Sequence, residues 1–230
     1  MDFTNLEKNL GLKFQNQGFL KQALTHRSYL NEFKNSNLES NERLEFLGDA
    51  VLGFVVSTWL FKKFPQYFEG KLTNFRSNLV KTVSLAKIAQ ELEVGNYLLL
   101  SKGEKEGRGQ QNPTLLANAM EAIIGAIFLD QGIHSVKVFI KTHFQKLLEE
   151  IIQSGKLKDY KSLLQEKIQA QTSESPNYKT IKEEGPEHNK IFTVSVTFQN
   201  ELLAIGVGKS KQKAEEEAAH LALEKLSLKK

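Results

Sequence analysis

"NERLEFLGDAVLGF", residues 41–54, decides how the chain is read. Leu44, Leu47, Val51 and Val55 recur at steps of three and four, the period of a helix with one buried face. Through the same stretch run three carboxylates, Glu42, Glu45 and Asp49. At ~100° per residue Glu42 and Asp49 lie almost above one another, with Glu45 within ~60° of both. The acids therefore form a stripe along the edge of the buried face. Unpaired carboxylates at such an edge repel one another and lose hydration, so a cation must offset the cost.

A second helix repeats the device. In "LLANAMEAIIGAIFLD", residues 115–130, Asn118 and Glu121 stand three apart, bracketed by Ala117, Ala119, Ala122, Gly125 and Ala126. Small residues let another backbone come close. If the two helices pack here, Glu45, Asp49, Asn118 and Glu121 converge as four oxygen ligands. Hard oxygens without histidine or cysteine suit Mg²⁺ or Mn²⁺. The usual chemistry of such a cluster is phosphodiester hydrolysis. Spacing alone leaves a second reading open, in which the acids pair with Arg43, Arg76 or lysines.

Composition narrows the class. The 230 residues carry a net charge of +4, which allows a polyanionic partner without demanding one. The chain has no cysteine, which excludes disulfides, thiolate nucleophiles and zinc–cysteine sites. No run approaches the ~18 consecutive apolar residues of a membrane helix, so no membrane partner is expected. The opening "MDFTNLEKNL" lacks the layout of a signal peptide, and the cytoplasm is the simplest expectation.

The hydrophobic period divides the chain into two blocks. Residues 1–153 read as helical throughout, punctuated by Pro65 and by an expected loop over 101–113, "SKGEKEGRGQQNP". Residues 154–159 read as a linker. Over 160–228 the expected order is α-β-β-β-α, a small α+β domain. It begins with the helix "YKSLLQEKIQ" (160–169), and its central strand is "IFTVSVTF" (191–198). There Phe192, Val194, Val196 and Phe198 point one way, while Thr193, Ser195 and Thr197 form a wet face. Flanking strands fall on "NYKTIKEEG" and "ELLAIGVG". A closing helix from Ser210 to about Leu226 turns Ala214, Ala218, Ala219 and Ala222 inward. Ser210 suits its N-cap, yet Lys211 and Lys213 occupy the first turn, against the macrodipole. A local rule broken this way points to function, because lysines beside free helix N–H groups make a phosphate site.

At this point the chain resembles the ribonuclease III family. "NERLEFLGDAVL" is similar to that family's signature. "ALTHRSYLNE" (23–32), "EGKLTNFRSNLV" (69–80) and "MEAIIGAIFLDQG" (120–132) extend the likeness in the family's order. The resemblance implies a mainly α, all-helical ribonuclease III endonuclease fold, followed by a double-stranded-RNA-binding fold. It implies an endoribonuclease of double-stranded RNA that uses Mg²⁺ (Mn²⁺ substituting) and leaves 5′-phosphates and short 3′ overhangs, in rRNA and mRNA processing. It implies a homodimer in which Phe46 enters the partner; an ordinary core residue is the other reading of Phe46. By position, Asp49, Glu121 and Glu42 match catalytic residues. Glu45, Asp49, Asn118 and Glu121 match the metal cluster, and Glu69 an acid near it. Ser162, Gln165 and Glu166 match contacts to one minor groove and His188 a contact to the next. Lys209, Lys211 and Lys213 match or replace the basic positions at the last helix start. One departure is Asn118, where the family usually has aspartate; the neutral amide removes one formal charge. It is compatible with a tolerated ligand change, with an engineered substitution that traps substrate, or with an inactive homologue that only binds double-stranded RNA. A more distant alternative is a phosphohydrolase of nucleotides with an appended binding module.

Overall fold

The computed structural model describes residues 2–33, 38–153, 160–170, 172, 174–186 and 190–227. Two units emerge, Met1–Leu157 and Lys158–Lys230. The first contains α1 (Thr4–Leu10), α2 (Gln17–Ala23), α3 (Arg27–Glu32), α4 (Glu42–Lys63), α5 (Glu69–Val80), α6 (Thr82–Glu91), α7 (Lys102–Glu106) and α8 (Pro113–Gln153). Its core is one cluster, centred on the packing of α4 against α8, and includes the buried Leu52, Val56 and Leu60 of α4 and Met120, Ile123 and Ile127 of α8. By length and hydropathy alone α4 and α8 would pass as membrane spans; their apolar faces are instead part of this core.

The two central helices touch backbone to backbone. A Cβ on Gly48 would stand 1.8 Å from the Glu121 carbonyl oxygen, and one on Gly125 would stand 2.3 Å from that of Leu44. Only glycine permits this crossing. α8 is not one straight rod: Gly132 adopts φ 77° and ψ −178°, which interrupts the helix. The residues beyond it, including Val136, Phe139, Ile140 and Phe144, return to the same core.

The expected loop over 101–113 is partly helical. It holds α7 and a 3₁₀ turn at Gly109–Gln111. The Ser101 hydroxyl accepts from the Glu104 N–H at 3.2 Å. Serine followed three residues later by glutamate is the start signal that the glycine and charge content obscured.

The second unit contains α9 (Tyr160–Gln169), β1 (Asn177–Glu184), β2 (Ile191–Phe198), β3 (Glu201–Gly208) and α10 (Lys211–Ser227). The sheet is antiparallel in the order β1-β2-β3, with Val196 opposite both Tyr178 and Ala204. Ala214, Ala218, Ala219 and Ala222 of α10 are fully buried, as expected; the last three pack with Leu164, Ile168 and Val196, and Ala214 lies against Gly206 and Gly208 of β3. The wet face of β2 is drier than its alternation implies. Ser195 is buried, flanked by a strand on either side, and its hydroxyl donates to the Lys179 carbonyl at 3.3 Å.

Candidate active site

The Gly48–Gly125 contact fixes what surrounds it. α4 presents Glu45, about one turn before Gly48, and Asp49 next to it; α8 presents Glu121 and Asn118, about one and two turns before Gly125. All four line one cleft of about 520 Å³, together with Glu42 and Phe46. The two acidic edges read from the sequence thus meet. Three further residues, His26, Arg27 and Asn41, complete the lining. They arrive by a route no local pattern reveals. The segment before α3 is strapped to Leu99: the Leu99 N–H donates to Leu24 O (2.8 Å), and the His26 N–H donates to Leu99 O (3.0 Å). The Asn41 N–H then donates to Thr25 O at 2.8 Å, which brings the start of α4 alongside. The His26 ring nitrogen accepts the Ser28 N–H at 3.3 Å as the N-cap of α3. "THRS" within 23–32 was the available signal, and spacing gave it no role.

Electrostatics separate the acids from ordinary surface charges. Burial raises the Glu121 carboxyl to about 7, with the neighbouring Asp49 and Glu45 charges pushing the same way. Burial also raises Glu45, reinforced by Glu42 and Asp49 and opposed by a hydrogen bond from the Asn118 side chain. The basic partners considered from spacing turn elsewhere. Arg43 pairs with Glu39 at 3.6 Å, and Arg76 donates to the Ser57 hydroxyl at 3.1 Å. Glu42 does find a cation, Arg27 at 3.5 Å, and accepts from the Ser40 hydroxyl at 2.9 Å. Both side chains of that ion pair are exposed, so its stabilisation is slight. Among the described residues, Glu45, Asp49 and Glu121 have no basic partner.

Among the described residues no three acid or histidine side chains already close around a single point. The carboxylates line a cleft rather than a cage. Their chemistry still fits a hard divalent cation: three mutually repelling carboxylates, partly desolvated, beside a neutral amide whose oxygen can join them. A cation would remove the cost that burial and like charge impose.

The second unit gathers a different set. Ser162, Gln165 and Glu166 are half-buried on α9, Ser162 and Glu166 on the face away from Leu164 and Ile168 and Gln165 at its edge. Ser210 caps α10 as expected, accepting from the Lys213 N–H at 3.2 Å. Lys211 reaches back to Glu183 at 2.8 Å, which compensates its place at the positive helix end. Lys209 and Lys213 are exposed. His188 lies outside the described residues.

Comparison with known proteins agrees with both units. Residues 16–148 match the Ribonuclease-III-like family, and residues 160–226 match the double-stranded RNA binding motif. Ribonuclease 3 of Dehalococcoides mccartyi is 45% identical over 224 residues, covering 97% of this chain and 94% of its own. The chain belongs to the ribonuclease III family. Ribonuclease 3 of Anoxybacillus flavithermus is 47% identical over 225 residues, with 97% of this chain and 94% of that protein covered. Among solved structures, the ribonuclease III nuclease domain of Campylobacter jejuni is similar, with a TM-score of 0.57 and 40% identity. It covers 63% of this chain and 99% of its own, and it is described as flexible in a region involved in dimer formation.

Two further family-derived positions in this ribonuclease III-family chain are Glu69, outside the cleft lining, and Phe46, at its edge. Glu69 sits in the first turn of α5, accepts from the Thr73 hydroxyl at 2.9 Å and does not line the cleft. Phe46 is 82% exposed, beside an apolar recess lined in part by Phe19, Leu44, Leu47 and Leu129. In a single chain it is no core residue.

Proposed function

We propose that this ribonuclease III-family protein is a homodimeric, Mg²⁺-dependent endoribonuclease of double-stranded RNA, acting in the cytoplasm in rRNA and mRNA processing. Residues 1–153 are its catalytic domain, 154–159 its linker and 160–228 its RNA-binding domain. The observation that carries the reading is the meeting of Glu45, Asp49 and Glu121 in one cleft without a basic partner. These three, with the Asn118 amide oxygen, hold the cation; Glu69, which does not line the cleft, acts from outside it as an acid near the metal environment. When bound, Mg²⁺ or Mn²⁺ supplies Lewis-acid stabilisation of phosphate charge and lowers the pKa of water.

The chain's own groups do the rest. Asn118 donates to Glu45, tying the acidic edge of α8 to that of α4. Glu121, Asp49 and Glu42 are the residues assigned to catalysis, and the first two lie close enough for their charges to interact. Glu42 holds Arg27 at the cleft, where the guanidinium is placed for a phosphate oxygen. The exposed Phe46 ring and its adjoining recess form a self-complementary patch, the requirement of a two-fold contact. Two clefts, one per subunit, then cut opposite strands and leave 5′-phosphates with short 3′ overhangs. Ser162, Gln165, Glu166, His188, Lys209, Lys211 and Lys213 grip the duplex, reading A-form shape rather than sequence.

The test uses the full chain, an end-labelled RNA duplex, and Mg²⁺, Mn²⁺ or EDTA. Short duplex products with either metal and none in EDTA are expected. RNA left intact under both metals would overturn the enzyme reading. Asn118→Asp, run beside it, restores the missing charge and should lower the metal concentration needed for half-maximal cutting. Cleavage by that variant alone would instead establish a binding-only protein.

A further inference from the structure

A further cavity lies at the other end of α4. Thirteen residues separate Asp49 from Lys62, or ~20 Å along the helix axis, so this slot is distinct from the acid cleft. It encloses about 180 Å³ between α4 and the part of α8 beyond Gly132. Val55, Trp59 and Lys62 approach from α4, and Lys137, Ile140 and Lys141 from α8. The spacings i, i+4, i+7 and i, i+3, i+4 put each set on one helix face. The floor is apolar, made by Val55, Ile140 and the half-buried Trp59 ring, while the three lysines are exposed around it. Among the described residues none of these lysines has an ion-pair partner.

We propose that this slot holds one nucleotide, its base stacked on Trp59 and its phosphates held by Lys62, Lys137 and Lys141. The slot has room for a single planar ring system beside the Trp59 ring. An aromatic platform gives a base a partner whatever its identity, and ammonium groups give phosphate oxygens charge-assisted donors. Three uncompensated positive charges around an apolar floor call for a ligand that is flat at one end and multiply anionic at the other. A nucleotide has both ends. It could come from the free pool or from the unpaired end of an RNA strand.

Trp59 is the sole tryptophan of the chain, so its fluorescence reports on this slot alone. The full-length protein is titrated in EDTA with ADP, adenosine, pyrophosphate, and RNA duplexes with blunt or overhanging ends. Saturable quenching by ADP is expected, with adenosine and pyrophosphate each weaker by about tenfold or more, because each lacks one half of the recognition. Quenching by ADP alone marks a free-nucleotide site. Quenching also by the overhanging duplex, beyond the blunt one, marks an RNA-end site; either upholds the slot. The K62Q/K137Q/K141Q variant, whose changes are all at exposed positions, should weaken ADP by about tenfold while keeping its thermal midpoint and its cleavage of duplex RNA. No saturable response to millimolar ADP, an equal response to pyrophosphate, or an unchanged response in the variant would each overturn the proposal.

Discussion

Glu121 concentrates the chemistry of the cleft in one carboxyl group. It titrates near 7 in the fold against an ordinary 4.5, so the native state binds its proton more tightly than the unfolded chain does. The stabilising contribution is complete below the ordinary value and is lost as pH rises through the folded one. Glu45 is raised for the same reason and adds in the same direction. The thermal midpoint of metal-free protein should therefore fall between about pH 5 and 8, and should fall less in Glu121→Gln. Added Mg²⁺ should reverse the decline in the wild type, and a midpoint independent of pH would contradict the assignment. In cleavage assays Glu121→Gln should lose more than the ~10–100-fold typical of residues that only support a metal ligand, with duplex affinity retained in gel-shift titrations. Much of this was legible in the sequence, because Glu42, Glu45 and Asp49 sit at fixed angles to the buried row. His26 and Arg27 were not, because they reach the cleft only through hydrogen bonds to Leu99, far along the chain.

The pairing of α4 with α8 sets the scale on which the site can be disturbed without touching an acid. Gly48→Ala would drive a methyl group into the Glu121 carbonyl, against backbone rather than a yielding side chain. A loss of about 3 kcal/mol, the upper end for overpacking, is expected, read by chemical denaturation, together with reduced cleavage. Gly53→Ala on the same helix meets nothing within 4 Å and serves as the control. The sequence made this contact foreseeable from α8, where alanines flank Asn118 and Glu121. On the second unit, strict alternation found β2 and the alanine spacing found the inner face of α10. Ser195 escaped, because alternation records side-chain direction and not what neighbouring strands cover. α7 escaped because glycine and charge outweighed a two-residue capping signal.

For the whole molecule, division of labour between the two units makes removal of one informative. A chain ending at residue 153 keeps the acid cleft and should still cut duplex RNA at low salt, with much weaker binding. In the full chain, plotting log affinity against log salt should give a steeper slope than in the truncated form, since each phosphate contact released accounts for ~0.7–0.9 units. Equal slopes would deny the second unit its grip on phosphate. Association of two chains should depend on Phe46; Phe46→Asp should sediment as a single chain at concentrations where the wild type is paired.

The break at Gly132 also means that α8 need not keep one helical phase from end to end. Residues 113–131 take their rotational setting from the crossing at Gly48, whereas 133–153 take theirs from Val136, Phe139, Ile140 and Phe144. Inserting one residue inside either rod would swing the later residues of that rod by ~100°, yet the swivel at 132 need not hand the error on. Glu121 on one side and Lys137 and Lys141 on the other, though carried on what counts as one helix, are thus geared separately.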